Sequence, residues 1–330
     1  MIEFLLDILR FDSTSRSENE LAKYIAGKYK PIDAELEIQE TGEKRLNVFF
    51  KYGEPKIIFC SHLDTVPHYI PPVYNREIIS GRGSCDAKGQ LAYLFEVFKQ
   101  LHSEGFTDIG MLMVSGEEDG SQGAIKANET LKNCDLIIIG EPTENKFIKA
   151  SKGNLLVKAI FKGKSCHSGY PYKGDSSFER MLLFFEKLKL INFETDPVLG
   201  DTTYNTGKVE SDNAPNVIPD SSKCKIFFRT TFKTDKLLKE KLYEIKDDMT
   251  ELEFLYGDEP MNFYTPKGFE TEIASFGTDA PAFINVKNKI LYGPGSILDA
   301  HTNNEYVKVK DLYKAVEDIK TIYKRFTNEN

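Results

Sequence analysis

Short apolar runs that stop abruptly at polar or acidic residues recur along the chain. Ile57-Ile58-Phe59-Cys60 stops at Ser61-His62-Leu63-Asp64, Met111 to Ser115 at Gly116-Glu117-Glu118-Asp119-Gly120, and Leu136-Ile137-Ile138-Ile139 at Gly140-Glu141-Pro142-Thr143. A fourth run, Lys289-Ile290-Leu291-Tyr292, leads through Gly293-Pro294-Gly295 to His301. Runs this short and this apolar read as strands buried on both faces. Helical stripes lie between them: Leu91, Leu94, Phe95, Phe98 and Leu101 in one, and Leu312, Val316, Ile319, Ile322, Tyr323 and Phe326 in the last. An opening helix is followed by Ser17-Glu18-Asn19-Glu20, which has the form of a capping box before Leu21, Tyr24, Ile25 and Tyr29. The alternation predicts an α/β fold with a mostly parallel sheet and helices on both faces. Asn47-Val48-Phe49-Phe50 is expected to neighbour Ile57 to Cys60, joined by a turn at Gly53-Glu54-Pro55.

From about Lys152 the texture changes. Leu155 to Phe161 alternates as a half-exposed antiparallel strand does, and Asp175 is placed to cap a helix with Phe178, Met181, Leu182, Phe185 and Leu188 inward. A strand over Lys223 to Phe232, a helix near Leu237 to Asp247 and a strand near Leu252 to Tyr256 follow. The expectation is a smaller α+β domain of ferredoxin-like order at 153–262, inserted into a larger one made of 1–152 and 263–330.

Composition narrows the function classes. At 330 residues two domains are the default, and a formal net charge of -8 argues against a general nucleic-acid binder. No apolar stretch is long enough to span a bilayer, and the N-terminus lacks the basic start of a signal peptide. Five cysteines without paired spacing suit a reducing cytoplasm and free thiols, with Cys60 a small buried hydrophobe. A cytoplasmic protein is expected.

Ligands of a parallel α/β sheet collect beyond the carboxyl ends of its strands. His62, Glu117-Glu118 and Glu141 each follow a strand, Asp86 ends the glycine-rich stretch Gly81-Arg82-Gly83-Ser84-Cys85, and His301 lies after the last run. Taken singly, each has an ordinary reading as loop, cap or surface residue; it is their joint appearance at strand ends that points to a site. Two histidines and three carboxylates suit two borderline divalent ions, zinc first and cobalt second. Asp86, Glu118 and Glu141 with one hydroxide balance four positive charges. Glu117 is then the spare carboxylate, free to act as general base in amide hydrolysis. Asp64, two residues after His62 on extended backbone, can reach its ring.

Ser61-His62-Leu63-Asp64-Thr65-Val66-Pro67, Gly81-Arg82-Gly83 to Asp86-Ala87-Lys88-Gly89, Glu117-Glu118, Gly140-Glu141-Pro142-Thr143 and Ala300-His301-Thr302 together resemble the M20 metallopeptidase and deacylase family. Closest in kind are acetylornithine deacetylases and succinyl-diaminopimelate desuccinylases. The resemblance implies His62 and Glu141 on one metal, Glu118 and His301 on the other, Asp86 bridging, Glu117 as base and Asp64 orienting His62. It also implies a cis peptide at Asp86-Ala87. The insert resembles the family's lid and dimerisation domain, which implies a homodimer formed through it. Within that insert, His167 in Ser165-Cys166-His167-Ser168-Gly169 would stabilise the oxyanion, Asn213 and Asn216 would contact substrate, and Arg229 would bind a substrate carboxylate. Gly277 and Thr278 match a substrate-facing loop, while His68 and His102 match nothing. The chain is shorter than many members, with the deficit after Arg229.

Glu at 141, rather than the Asp of the family's dipeptidases and tripeptidases, favours an acyl-amino-acid hydrolase or a carboxypeptidase. The expected activity is removal of an acyl group, acetyl first, from the α-nitrogen of a small-molecule N-acyl amino acid such as ornithine or citrulline, in arginine or lysine biosynthesis. A desuccinylase or metallo-carboxypeptidase on the same scaffold is the alternative, and a catalytically silent relative that binds a ligand or partner is the alternative from another class.

Overall fold

The computed structural model describes residues 1–329. Its main strands are β1 (Glu35–Glu40), β2 (Leu46–Tyr52), β3 (Ile57–His62), β4 (Ile109–Val114), β5 (Leu136–Gly140), β6 (Gly153–Lys162), β7 (Thr203–Glu210), β8 (Ser221–Thr230), β9 (Thr250–Asp258) and β10 (Asn288–Tyr292). Its helices are α1 (Ile2–Leu9), α2 (Asn19–Lys28), α3 (Lys88–Ser103), α4 (Gln122–Asn128), α5 (Ser177–Leu190), α6 (Asp235–Ile245) and α7 (Val309–Glu329). The fold is mixed α/β and divides into two compact units. The first comprises Met1–Lys149, Phe263–Glu272 and the chain from Thr278 onward; the second comprises Ala150–Asn262 and Ile273–Gly277.

In the first unit a six-stranded sheet runs in the order β1-β2-β4-β3-β5-β10. The pairings β3–β4, β3–β5 and β5–β10 are parallel, and β1–β2 and β2–β4 antiparallel. Every residue of β3, β4 and β5 is buried, which accounts for their unbroken apolar character. Val48, Phe50, Phe59, Met111, Met113, Ile138 and Ile290 pack against the stripes of α1, α2, α3 and α7. The intervening Ile58, Cys60, Leu112, Ile137 and Ile139 are buried on the opposite face. Phe98 of α3 is fully buried and stacks on Tyr52 with ring centroids 4.9 Å apart. Phe98→Ala is expected to lower unfolding free energy by about 3–5 kcal/mol, measured by denaturant titration, because the ring's cavity cannot close.

β2 and β3 are not neighbours: β4 lies between them. The connecting turn wraps over Asp108, whose side chain accepts the Glu54 amide (3.2 Å) and whose carbonyl accepts that of Lys56 (2.8 Å). Four residues readily cross two interstrand spacings of about 4.8 Å each, so a short connection does not imply pairing. Ser17 to Glu20 is likewise no capping box; Glu18 is the N-cap, without a side-chain capping bond, and is buried near Arg45.

In the second unit β7-β8-β6-β9 form an antiparallel sheet. Val157, Ala159, Phe161, Ile226 and Phe228 pack against Met181, Phe184 and Leu188 of α5 and Leu238 and Leu242 of α6. The inner stripe of α5 is Ser177, Met181, Phe184 and Leu188, whereas Phe178 and Leu182 are exposed. Ser176, not Asp175, caps this helix by accepting the Glu179 amide (3.3 Å); Asp175 pairs with Arg180 instead. β7 gave no sequence signal, because as a mostly exposed edge strand it carries no apolar alternation.

Candidate metal centre

The carboxyl ends of the parallel strands assemble the site. His62 is the last residue of β3, Glu117 and Glu118 follow β4 in a tight turn opened by Gly116 (φ 73), and Glu141 directly follows β5. Asp86 precedes α3, and its peptide bond to Ala87 is cis. His301 lies beyond β10 with its backbone in the left-handed region (φ 62), a conformation that costs a non-glycine residue about 1–3 kcal/mol and is found preferentially at functional positions.

These side chains converge into two groups that share one member. Donor atoms of His62, Asp86 and Glu141 lie within 4.8 Å of one another, and so do those of Asp86, Glu118 and His301. The Asp86 carboxylate faces both: Oδ1 is 3.1 Å from His62 Nε2 and Oδ2 is 3.2 Å from His301 Nε2, which is also 2.9 Å from Glu118 Oε1. His62 Nδ1 lies 2.9 Å from the main-chain carbonyl of Asp64. A carbonyl only accepts, so Nδ1 carries the proton and the Nε2 lone pair points at a carboxylate oxygen. That opposition is relieved by a cation between them, either a proton or a metal ion. Donor type and placement therefore fit divalent ions.

The electrostatics agree. Burial pushes the Glu117 carboxyl well above the ordinary carboxylate range, with Glu141, Asp279 and Glu118 adding to the rise. Burial does the same at Glu141, reinforced by Asp86. Burial opposes charge on His62, but Asp64 and Asp86 outweigh it and hold the imidazole well above the ordinary value. Hydrogen bonds that His301 donates to the Asp86 and Glu118 carboxylates push its imidazole up to about 10. The raised carboxyls and imidazoles share one cause, buried negative charge that favours a cation in its midst.

Asp64 faces His62 and has a second set of contacts besides. Its main chain is the nearer partner of His62, while its carboxylate Oδ1 stands 3.6 Å from the ring. The same carboxylate accepts the backbone amides of Glu117 (3.1 Å) and Glu118 (3.3 Å) and the hydroxyl of Ser15 (2.7 Å). It grips the turn that carries Glu117 as well as facing His62.

Three further residues escaped sequence reasoning. Glu305, buried, accepts the amides of Cys85 and Asp86 (both 3.1 Å) and pairs with Arg82 at 2.7 Å, fixing the Asp86 loop. Asp279 is buried, and burial pushes its carboxyl up to about 7. Arg45 is buried behind the Glu117 turn. Glu305 lies four residues after His301 and Asp279 directly after Thr278; a charge that is buried cannot be told by letter from one that is solvated.

Of the remaining candidates, Thr278 accepts the Ala280 amide (3.2 Å) and shapes the loop before Asp279. In the second unit, His167 is exposed and its Nδ1 accepts the Gly169 amide (3.0 Å), which leaves Nε2–H as a donor. Asn213 spends its amide on Ala214 and Val217 carbonyls and so braces its own loop. Asn216 is exposed, and its carbonyl accepts the Ser168 amide (2.9 Å). Arg229 lies over the Phe227 ring at 4.6 Å, and no carboxylate is within ion-pair distance of it among the described residues. Gly277 is exposed. His102 stacks on Tyr52 at 3.5 Å, and His68 is exposed.

Comparison with known proteins adds the family context. The chain matches the model described as Peptidase family M20/M25/M40 over residues 58–325. It is 31% identical over 334 residues to a Peptidase M20 domain-containing protein of Schizosaccharomyces pombe, covering 97% of this chain and 83% of that protein. It is 30% identical over 366 residues to a probable carboxypeptidase of Aspergillus clavatus, covering 98% and 88%. Its fold is similar to that of the aminopeptidase PepT from Bacillus cereus, with a TM-score of 0.78 at 21% identity, covering 97% of this chain and 96% of the other.

Proposed function

This chain belongs to peptidase family M20/M25/M40, and from that premise we propose that it is a dinuclear metal-dependent hydrolase of amide bonds to an amino acid with a free carboxylate. The observation that carries the reading is a pair of donor groups sharing Asp86, with Glu117 beside them in the same turn as Glu118. His62, Asp86 and Glu141 would hold one ion and Asp86, Glu118 and His301 the other; zinc is the first choice for this donor set and cobalt the second. When bound, such ions supply Lewis acidity toward the carbonyl and make water acidic enough to attack near neutral pH.

The chain's own residues do the proton work. A Glu117 carboxylate oxygen accepts a proton from the attacking water and returns it to the leaving nitrogen. Asp64 keeps that carboxylate in place through the amides of Glu117 and Glu118. For the second unit we propose His167 as a donor to the developing oxyanion and Arg229 as partner of the substrate carboxylate. A homodimer formed through that unit belongs to the same proposal; the exposed apolar residues Phe178, Leu182 and Leu183 of α5 support it. A cytoplasmic setting rests on five cysteines, all free.

The finer reading is an N-acyl-amino-acid deacylase, acetyl-specific and acting on ornithine or citrulline in arginine or lysine biosynthesis. A desuccinylase is its variant. The relatives named probable carboxypeptidases favour a second form of the same chemistry, in which the acyl group is a peptide. Both forms share the group acyl–NH–CHR–COO⁻.

The test is turnover by metal-loaded protein on N-acetyl and N-succinyl derivatives of ornithine, citrulline, lysine and diaminopimelate, beside N-blocked dipeptides with free or amidated C-termini. Hydrolysis that requires the free carboxylate is expected, and equal turnover of amidated substrates would sink the reading. Arg229→Ala is expected to raise KM about tenfold or more with less effect on kcat, the loss of one bidentate charge-assisted pair.

A further inference from the structure

We propose that Arg45 is a positioning residue for Glu117: its buried guanidinium clasps the Gly116–Asp119 turn from behind and so sets where the Glu117 and Glu118 carboxylates stand. The inference rests on the reading of Glu117 as general base. Arg45 immediately precedes β2 and is only 1% exposed, although it carries a full charge. Its Nη2 lies 2.6 Å from Asp119 Oδ2 and 3.3 Å from Glu43, and its Nε lies 3.7 Å from the buried Glu18 carboxylate. Its Nη1 lies so close beneath Gly116 that a Cβ there would fall 2.1 Å from it.

Two buried side chains therefore hold the turn. Asp64 holds its middle through two amides, Arg45 holds its far end through Asp119, and Gly116 provides the close approach between them. From the exposed side Arg16 reaches the same Asp119 oxygen at 2.8 Å. β2 adds a second brace two residues on. Asn47 Oδ1 accepts the Ser115 amide (3.0 Å), and its Nδ2 donates to the Gly123 carbonyl (2.9 Å), tying the two ends of the segment together. A guanidinium suits this task because it is planar, always charged and several-pronged. Burying a charge costs several kcal/mol unless it is paired, and Arg45 is paired with Asp119 at the turn as well as with Glu43 and the buried Glu18.

The test compares metal-loaded wild type with Glu18→Gln, with the double variant Glu18→Gln/Arg45→Met, and with Asp119→Asn. The double variant removes both buried charges, so neither is left unpaired, and keeps the volume of the arginine stem. It is expected to speed hydrogen exchange at the Glu117 and Glu118 amides about tenfold or more, with exchange in β4 unchanged. In the same protein kcat should fall about 10- to 100-fold with KM within about threefold, the effect of a displaced reacting group. Glu18→Gln alone should keep wild-type exchange, and Asp119→Asn should move exchange the same way as the double variant.

Wild-type exchange and kcat in a folded double variant would overturn the proposal, and so would a Glu18→Gln effect as large as the double variant's. If the double variant does not fold, Asp119→Asn decides: it alters a half-exposed side chain, and unchanged exchange there overturns the clasp. Should wild type turn over no amide substrate, the general-base reading fails while the exchange comparison still judges the clasp.

Discussion

Glu117→Ala is expected to leave about two metal ions per chain and to lower kcat by about 10²–10⁴-fold, the range general-base catalysis contributes. The two halves of that result come from different features. Metal retention follows because Glu117 belongs to neither donor group: both are complete with His62, Asp86, Glu118, Glu141 and His301. The turnover loss follows because the mutation removes the carboxylate that takes the water's proton and leaves none of the ligands free to replace it. The backbone amide of residue 117 survives the substitution, so its bond to Asp64 and the placing of Glu118 should survive too. KM should change little, since Glu117 acts on water and on the leaving nitrogen. The measurement is elemental analysis with steady-state kinetics on whichever substrate the panel selects. A fully active Glu117→Ala protein would remove Glu117 from the mechanism.

What could be read from letters alone follows a physical rule. Strands buried on both faces must be apolar throughout, and the parallel arrangement puts functional groups just past their ends. His62, Glu117, Glu118 and Glu141 were therefore visible as polar interruptions after Cys60, Val114 and Ile139. The stripes of α3 and α7 were visible because each has one wide buried side. Where only half an element is buried, the signal weakened: two apolar faces compete on α5, and Phe178 and Leu182 were assigned to the wrong one. β7 failed for the opposite reason, since neither of its faces is apolar.

Topology was harder still. That β4 separates β2 from β3 depends on a non-local pairing that no window of sequence contains. The supporting charges were hardest of all. Arg45, Glu305 and Asp279 are ordinary surface residues by composition, and only the folded chain shows them buried behind or beside the donor groups. Asp64 was read as a partner of His62, but its carboxylate also holds the Glu117 turn, because backbone amides leave no mark in a sequence.

Asp86→Ala is the substitution expected to undo the centre entirely. Every other donor belongs to one group, but Asp86 belongs to both, through Oδ1 toward His62 and Oδ2 toward His301. Its loss reduces each group from three protein donors to two and leaves two histidines facing fewer negative charges. The prediction is that metal content falls from about two ions per chain to less than about half an ion, and that turnover drops by about 10³-fold or more, the scale of losing metal-assisted chemistry altogether. His301→Ala provides the contrast. It touches only the Asp86–Glu118 group, so one ion should stay with His62, Asp86 and Glu141. Chelator treatment of wild type should reproduce the Asp86→Ala phenotype and be reversed by added zinc or cobalt, whereas the variant should not recover. Folding can be followed separately by circular dichroism, since Asp86 sits in a loop held by Glu305 through backbone amides that alanine retains. An Asp86→Ala protein that binds two ions as tightly as wild type would mean that the two groups do not share a ligand, and the dinuclear reading would fall with it.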